Sequence, residues 1–138
     1  MTATPDSTRA DLDGINRPET VAEVAAVFRR YEAALSVGDA ATLNELFWHS
    51  PLSVRFGIAD RQQGIAEITA WRCEHPGVPL GRRLRYTQML TVDDRTAVVT
   101  TLFDYPDGAV EGRQTQVWVR FPAGWRIVSA HVSEIPMS

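Results

Sequence analysis

The second half of the chain decides what it can fold into. From Arg82 onward it runs through four long β-type segments, Arg82–Val92, Thr96–Tyr105, Val110–Phe121 and Trp125–Ile135. Turn signals separate them at Asp93–Asp94, Pro106–Asp107–Gly108 and Pro122–Ala123–Gly124. Consecutive hairpins of this kind give an antiparallel meander. Strands this long in a chain of 138 residues must twist and curve, and the concave face needs a cover.

The first half supplies that cover. Val21, Val24, Ala25, Val27, Phe28, Tyr31 and Leu35 recur at three- and four-residue steps, one face of an amphipathic helix. Asn16 is its expected cap, Pro18 and Glu19 suit its first turn, and Gly38 ends it. Asp39 caps a second, shorter helix carrying Leu43, Leu46 and Phe47, which stops before Pro51. Leu52–Gly57 alternates as a short strand, a turn follows at Ala59–Asp60, and a third helix runs from about Gly64 to Glu74, with Ile65, Ile68, Ala70 and Trp71 as its apolar positions. Met1 to about Arg17 is polar and aperiodic and reads as a mobile tail, disordered over residues 1–15, with a single domain over 16–138. The expected class is α+β: three N-terminal helices packed on a curved antiparallel sheet, forming a cone around one pocket.

Bulk properties narrow the function. Hydrophobic residues make up 44% and charged residues 22%, an ordinary globular balance. The formal charge is −3 and the pI about 5.6, which gives no electrostatic footprint for nucleic acid or an anionic membrane. No apolar run is long enough to span a bilayer, and Met1–Gly14 lacks the apolar core of a secretory signal. All 14 basic residues are Arg, so lysine Schiff-base chemistry is unavailable. The single Cys73 excludes an internal disulfide and a thiolate cluster, and a reduced cytoplasmic compartment is the default. His49, His75 and His131 lack metal-ligand spacing, and no phosphate-loop, dinucleotide or nucleophile-elbow motif occurs. No metal is expected.

What remains is a set of polar groups on core-facing elements. Tyr31 lies on the apolar stripe of the first helix; it is either a core tyrosine or a phenol directed into the pocket. Arg55, between Val54 and Phe56, is either a strand-edge residue in solvent or a guanidinium inside the cone, where it needs an acidic partner or an anionic ligand. Gln114, Gln116 and Trp118 share one strand face, a ligand wall or an outer, oligomer-forming surface. His131 shares a face with Ile127 and Ser129, as a hydrogen-bonded structural residue or a base. Trp48 and Trp71 are core residues or aromatic clamps, and Cys73 is an inert buried thiol or a nucleophile.

The segments NRPETVAEVAAVFRRYEAALSVGDAATLNELFWHSP, VRFGI, GRQTQVWVR and GWRIVSAHVS resemble the AtzH-like family of the NTF2-like (SnoaL-like) cone fold, from Asn16 to about Ser133. The resemblance implies a dimeric cone, paired through its sheet and needing neither metal nor cofactor. It also implies decarboxylating amide hydrolysis of small carboxylated ureas in nitrogen catabolism, such as dicarboxyurea to allophanate. The catalytic pair it implies is Tyr31, from RRYEAAL, and Arg55, from SVRFG. Trp48, Trp71, Gln114, Gln116, Trp118 and His131 are then expected to contact the substrate. Two positions depart from the family pattern: His49 stands where LFWDSP has an acid, and Phe56 where VRYG has Tyr.

Two rival functions remain at this point. One is a non-catalytic accessory protein that binds carboxylates and associates with a neighbouring amidase. The other is an isomerase, which needs a pocket carboxylate as base; Asp104 and Glu111 are the strand-region candidates.

Overall fold

A computed structural model describes residues 12–138. Helix α1 spans Pro18–Val37 and α2 spans Ala40–Leu46; β1 (Val54–Phe56) and β2 (Arg61–Gln63) precede α3 (Ile65–Glu74). The strands β3 (Arg83–Val92), β4 (Thr96–Asp104), β5 (Val110–Phe121) and β6 (Gly124–Pro136) follow. The six strands form one sheet in the order β2-β1-β6-β5-β4-β3. The long strands are an antiparallel meander, as their turn signals predict. The edge differs: β1 runs parallel to β6, and the unforeseen three-residue β2 completes a small hairpin with it.

Curvature has two visible sources. The β3–β4 register slips between Arg85 and Gln88, where Tyr86 takes a positive φ of 52°, and the β5–β6 register shifts at Val117/Trp118. Each irregularity adds twist and bends its strand. The concave face presents Val99, Trp118 and Ile127 to Val24 and Phe28 of α1 and to Leu43, Leu46 and Phe47 around α2. This core fills the deep end of the cone, and the wider end stays open.

Helix boundaries follow local chemistry. Gly38 adopts the left-handed conformation (φ 70°) that ends α1, and the Asp39 carboxylate accepts the Thr42 N–H at 3.1 Å. Asn16 does not cap α1, contrary to expectation. Arg17 occupies the cap position without a side-chain bond, and the Asn16 side chain instead accepts the Thr91 N–H of β3 at 2.8 Å. Ile15 bridges Val92, so the described part of the expected tail is docked on β3; residues 1–11 lie outside the described residues. Leu52 lies in a turn, 70% exposed, rather than in the strand. No helix among the described residues is long and apolar enough to cross a membrane.

Candidate functional site

A cavity of about 350 Å³ occupies the open end of the cone between α1, α3 and the sheet. Tyr31, Arg55, Trp71, Gln114 and Gln116 line it. Tyr31 is 4% exposed; its ring sits edge-on to Phe47 and Trp118, at 6.4 Å in each case, while the residue also borders the cavity. Tyr31 therefore packs its ring in the core and also borders the cavity.

Strand alternation places Arg55. It pairs with Gln62 on β2 and with Ala130 on β6, both on the concave face, whereas Val54 and Phe56 pair with Ser129 and His131. Arg55 does not wait for a ligand as its acidic partner. Its Nη1 donates to Asp60 Oδ1 at 2.7 Å and to Gln62 Oε1 at 2.9 Å, and Gln62 Nε2 donates to the same Asp60 oxygen at 2.9 Å. Gly57 makes this triad possible, because a Cβ there would stand 2.5 Å from both Asp60 carboxylate oxygens. Burial alone pushes the Asp60 carboxyl up. The bonds from Gln62 and Arg55, with the Arg55 charge, outweigh that and hold it below its ordinary value.

Trp71 carries a second guanidinium on the same flank. Arg55 lies 4.0 Å and Arg72 5.0 Å from the Trp71 ring centroid, and His75 stacks on the ring at 4.4 Å. Arg72 also lines the cavity, and it is only 3% exposed. Its Nη1 donates to the His75 carbonyl at 3.1 Å, and the Tyr31 hydroxyl stands beside it. Burial pushes the Arg72 pKa down and the nearby Arg55 adds to the fall; Tyr31 and Asp60 oppose it.

The opposite flank is built differently. Arg82 donates from Nε to Glu32 Oε1 at 3.1 Å and from Nη2 to Gln114 Oε1 at 3.0 Å, and Gln114 Nε2 donates to Glu32 Oε2 at 3.2 Å. The guanidinium also covers the Phe103 ring at 4.0 Å. That ring lies directly on Gly112, where any Cβ would overlap it. Burial raises the Tyr105 phenol pKa against the hydrogen bond and charge of Arg82, with Glu134 adding to the rise.

Three of the substrate contacts expected from sequence stand elsewhere. Trp48 stacks on Phe121 at 5.0 Å and is outside the cavity lining. Trp118 is fully buried behind the cavity wall, its indole N–H donated to Gln116 Oε1 at 3.1 Å. His131 is exposed on the convex side, edge-on to Phe56 at 5.7 Å, because strand alternation turns it away from its neighbours Ala130 and Val132. Of the two family departures, Phe56 borders the cavity and His49 does not; His49 bonds the Asn44 carbonyl. Cys73 is exposed rather than buried. Asp104 and Glu111 line a separate surface pocket, paired with Arg83 and Arg85, and neither borders this cavity. The lining carboxylates are Asp60 and Glu134. No group of three or more His, Cys, Asp or Glu among the described residues is placed to hold a metal.

A helix-covered curved sheet with a cavity at its open end is the architecture of the NTF2-like fold. A protein of unknown function from Pectobacterium atrosepticum has the same structure at TM-score 0.86 and 45% identity, covering 89% of this chain and 96% of that one. A cystatin-like fold protein from Burkholderia xenovorans matches equally well, with TM-score 0.86, 45% identity and 90% and 98% coverage. An NTF2-like protein of unknown function from Pseudomonas putida, at 17% identity and TM-score 0.67 over 83% and 87% of the two chains, shares the fold alone. No curated protein matches. The sequence fits the AtzH-like family over residues 13–138, and the chain belongs to that family.

Proposed function

We propose that the cavity is the active site of a hydrolase acting on a small carboxylate-bearing urea or acylurea, of the kind that converts dicarboxyurea to allophanate. The observation that supports this reading is the convergence of Tyr31, Arg55 and Arg72 on one small cavity roofed by Trp71. Guanidinium groups match the planar carboxylate, and the Tyr31 hydroxyl is the acid–base group available to the carbonyl or the attacking water. In the reaction a water oxygen bonds to the carbon of one N-carboxyl group and the N–C bond breaks. Its electron pair stays on nitrogen, which takes the water's proton, and the carbon departs as bicarbonate, in equilibrium with carbon dioxide. The reading includes a homodimer through the convex face of the sheet, where Leu90 is 38% exposed.

The test is release of carbon dioxide and allophanate from dicarboxyurea by the purified protein alone. Tyr31→Phe is expected to slow that release by ~10²–10⁴. An unchanged rate in the variant contradicts the role of Tyr31. Carboxylate binding without release, with activity appearing only when an amidase is added, supports the accessory reading instead. One observation favours that rival: among the described residues the cavity lining holds no Cys, Ser or His to act as a nucleophile.

A further inference from the structure

Three guanidinium groups border the cavity, and their charges are not equally answered. Arg82 has Glu32, and Arg55 has Asp60. Arg72, the most buried residue of the three, makes no ion pair among the described residues. Its charge cannot be shed, since a guanidinium stays protonated in any protein environment. A buried cation with no carboxylate of its own is costly to hold, and the His75 carbonyl and the Trp71 ring answer only part of that cost. A fold retains such a group at a cavity wall when an anion arrives to complete it. The Tyr31 hydroxyl and the Trp71 ring are already beside it.

We infer that Arg72, not Arg55, is the residue that takes the ligand's carboxylate, while Asp60 and Gln62 hold Arg55 as part of the fixed wall. This rests on the reading of the cavity as a carboxylate site, and it is independent of turnover. The competing geometry, in which the ligand displaces Asp60 from Arg55, would break the two hydrogen bonds that Asp60 Oδ1 accepts, from Arg55 and from Gln62.

The probes are N-carbamoylglycine, which carries one carboxylate on a urea, and its uncharged amide, titrated calorimetrically into the whole protein. The wild type is expected to prefer the acid. Arg72→Met is expected to weaken acid binding at least about tenfold, the least expected for losing a charge-assisted hydrogen bond, and to leave amide binding unchanged. Arg72→Lys keeps the charge without the fork and should retain part of the preference for the acid; if the methionine variant does not fold, this variant carries the test. A merely structural Arg72 predicts a lowered melting temperature in the ligand-free methionine variant and equal losses for acid and amide. That result, or an acid affinity that Arg72 variants leave intact, or a wild type that binds acid and amide alike, overturns the inference. If the acid binds through Arg72 but no carbon dioxide is released from dicarboxyurea, the inference stands and the hydrolase proposal falls.

Discussion

The two flanks of the cavity use the same ingredients to opposite effect. On the β4–β5 side one guanidinium, Arg82, meets one carboxylate, Glu32, with Gln114 bonded to both and Phe103 beneath. On the β1–α3 side two guanidinium groups, Arg55 and Arg72, share one carboxylate, Asp60. The first flank pairs its guanidinium within the wall and carries a further carboxylate, Glu134, beside Tyr105, so it has no cation to spare. The second is short of one negative charge, and that shortage is a binding capacity. A glutamine bridges the pair on each flank, Gln114 on one and Gln62 on the other, so amide bonding does not separate them; charge count does.

Breaking the first flank's ion pair should have the largest effect. Arg82→Met leaves Glu32 largely buried and unpaired (its side chain is 15% exposed), and removing one partner of a buried pair costs ~3–5 kcal/mol. Denaturant unfolding of the variant checks it. Arg72→Met removes an unpaired charge instead and should change stability by much less, so the contrast between the two variants measures the asymmetry directly.

Asp60→Asn should come next, at about 1.5–3 kcal/mol for the lost charge-assisted bonds, read by the same unfolding curves. It should also add a second free guanidinium to the open flank and raise affinity for a carboxylate. Gly112→Ala pushes a methyl group into the Phe103 ring under Arg82, and overpacking of that kind costs ~1–3 kcal/mol. A melting temperature equal to wild type would show that Phe103 moves freely.

The smallest expected effect is in acid. The Asp60 carboxyl is held below its ordinary value in the fold, so its contribution is fully present above the unfolded value of about 3.9 and is lost as pH falls through the lower folded value. Asp60→Asn should therefore flatten part of the acid limb of a stability-versus-pH curve. An acid limb identical to wild type would show that Asp60 is not linked to folding.

Much of this was legible in the sequence, and the remainder has a common reason for being hidden. Turn signals and long β runs fixed the meander and hence the cone, and a three-and-four spacing put Tyr31 on the covered stripe of α1. Alternation set Arg55 opposite Val54 and Phe56 but left open which face was concave, and the pairing with Gln62 and Ala130 decides it. Arg72 was readable too. Ile65 and Ile68 define the buried face of α3, and Arg72 follows Ile68 by four residues, while Ala70, chosen for its apolarity, is exposed. Alternation from buried Ile127 puts His131 on the same face, contrary to the structure, because the register shift between Ile127 and Ser129 turns Ser129 and His131 outward. What no local pattern encodes is pairing between distant segments. Arg82 reaches Glu32 across 50 positions and Gln114 reaches it across 82. Asp60 read as a turn residue because the three-residue β2 that follows it is too short to announce itself.

The most direct test of the account is a crystal structure of the protein with N-carbamoylglycine bound. The account predicts its carboxylate ~2.7–2.9 Å from the Arg72 guanidinium, with the Arg55–Asp60 pair intact and Arg82 still on Glu32. A carboxylate seated on Arg55 with Asp60 displaced, on Arg82, or outside the cavity would contradict it.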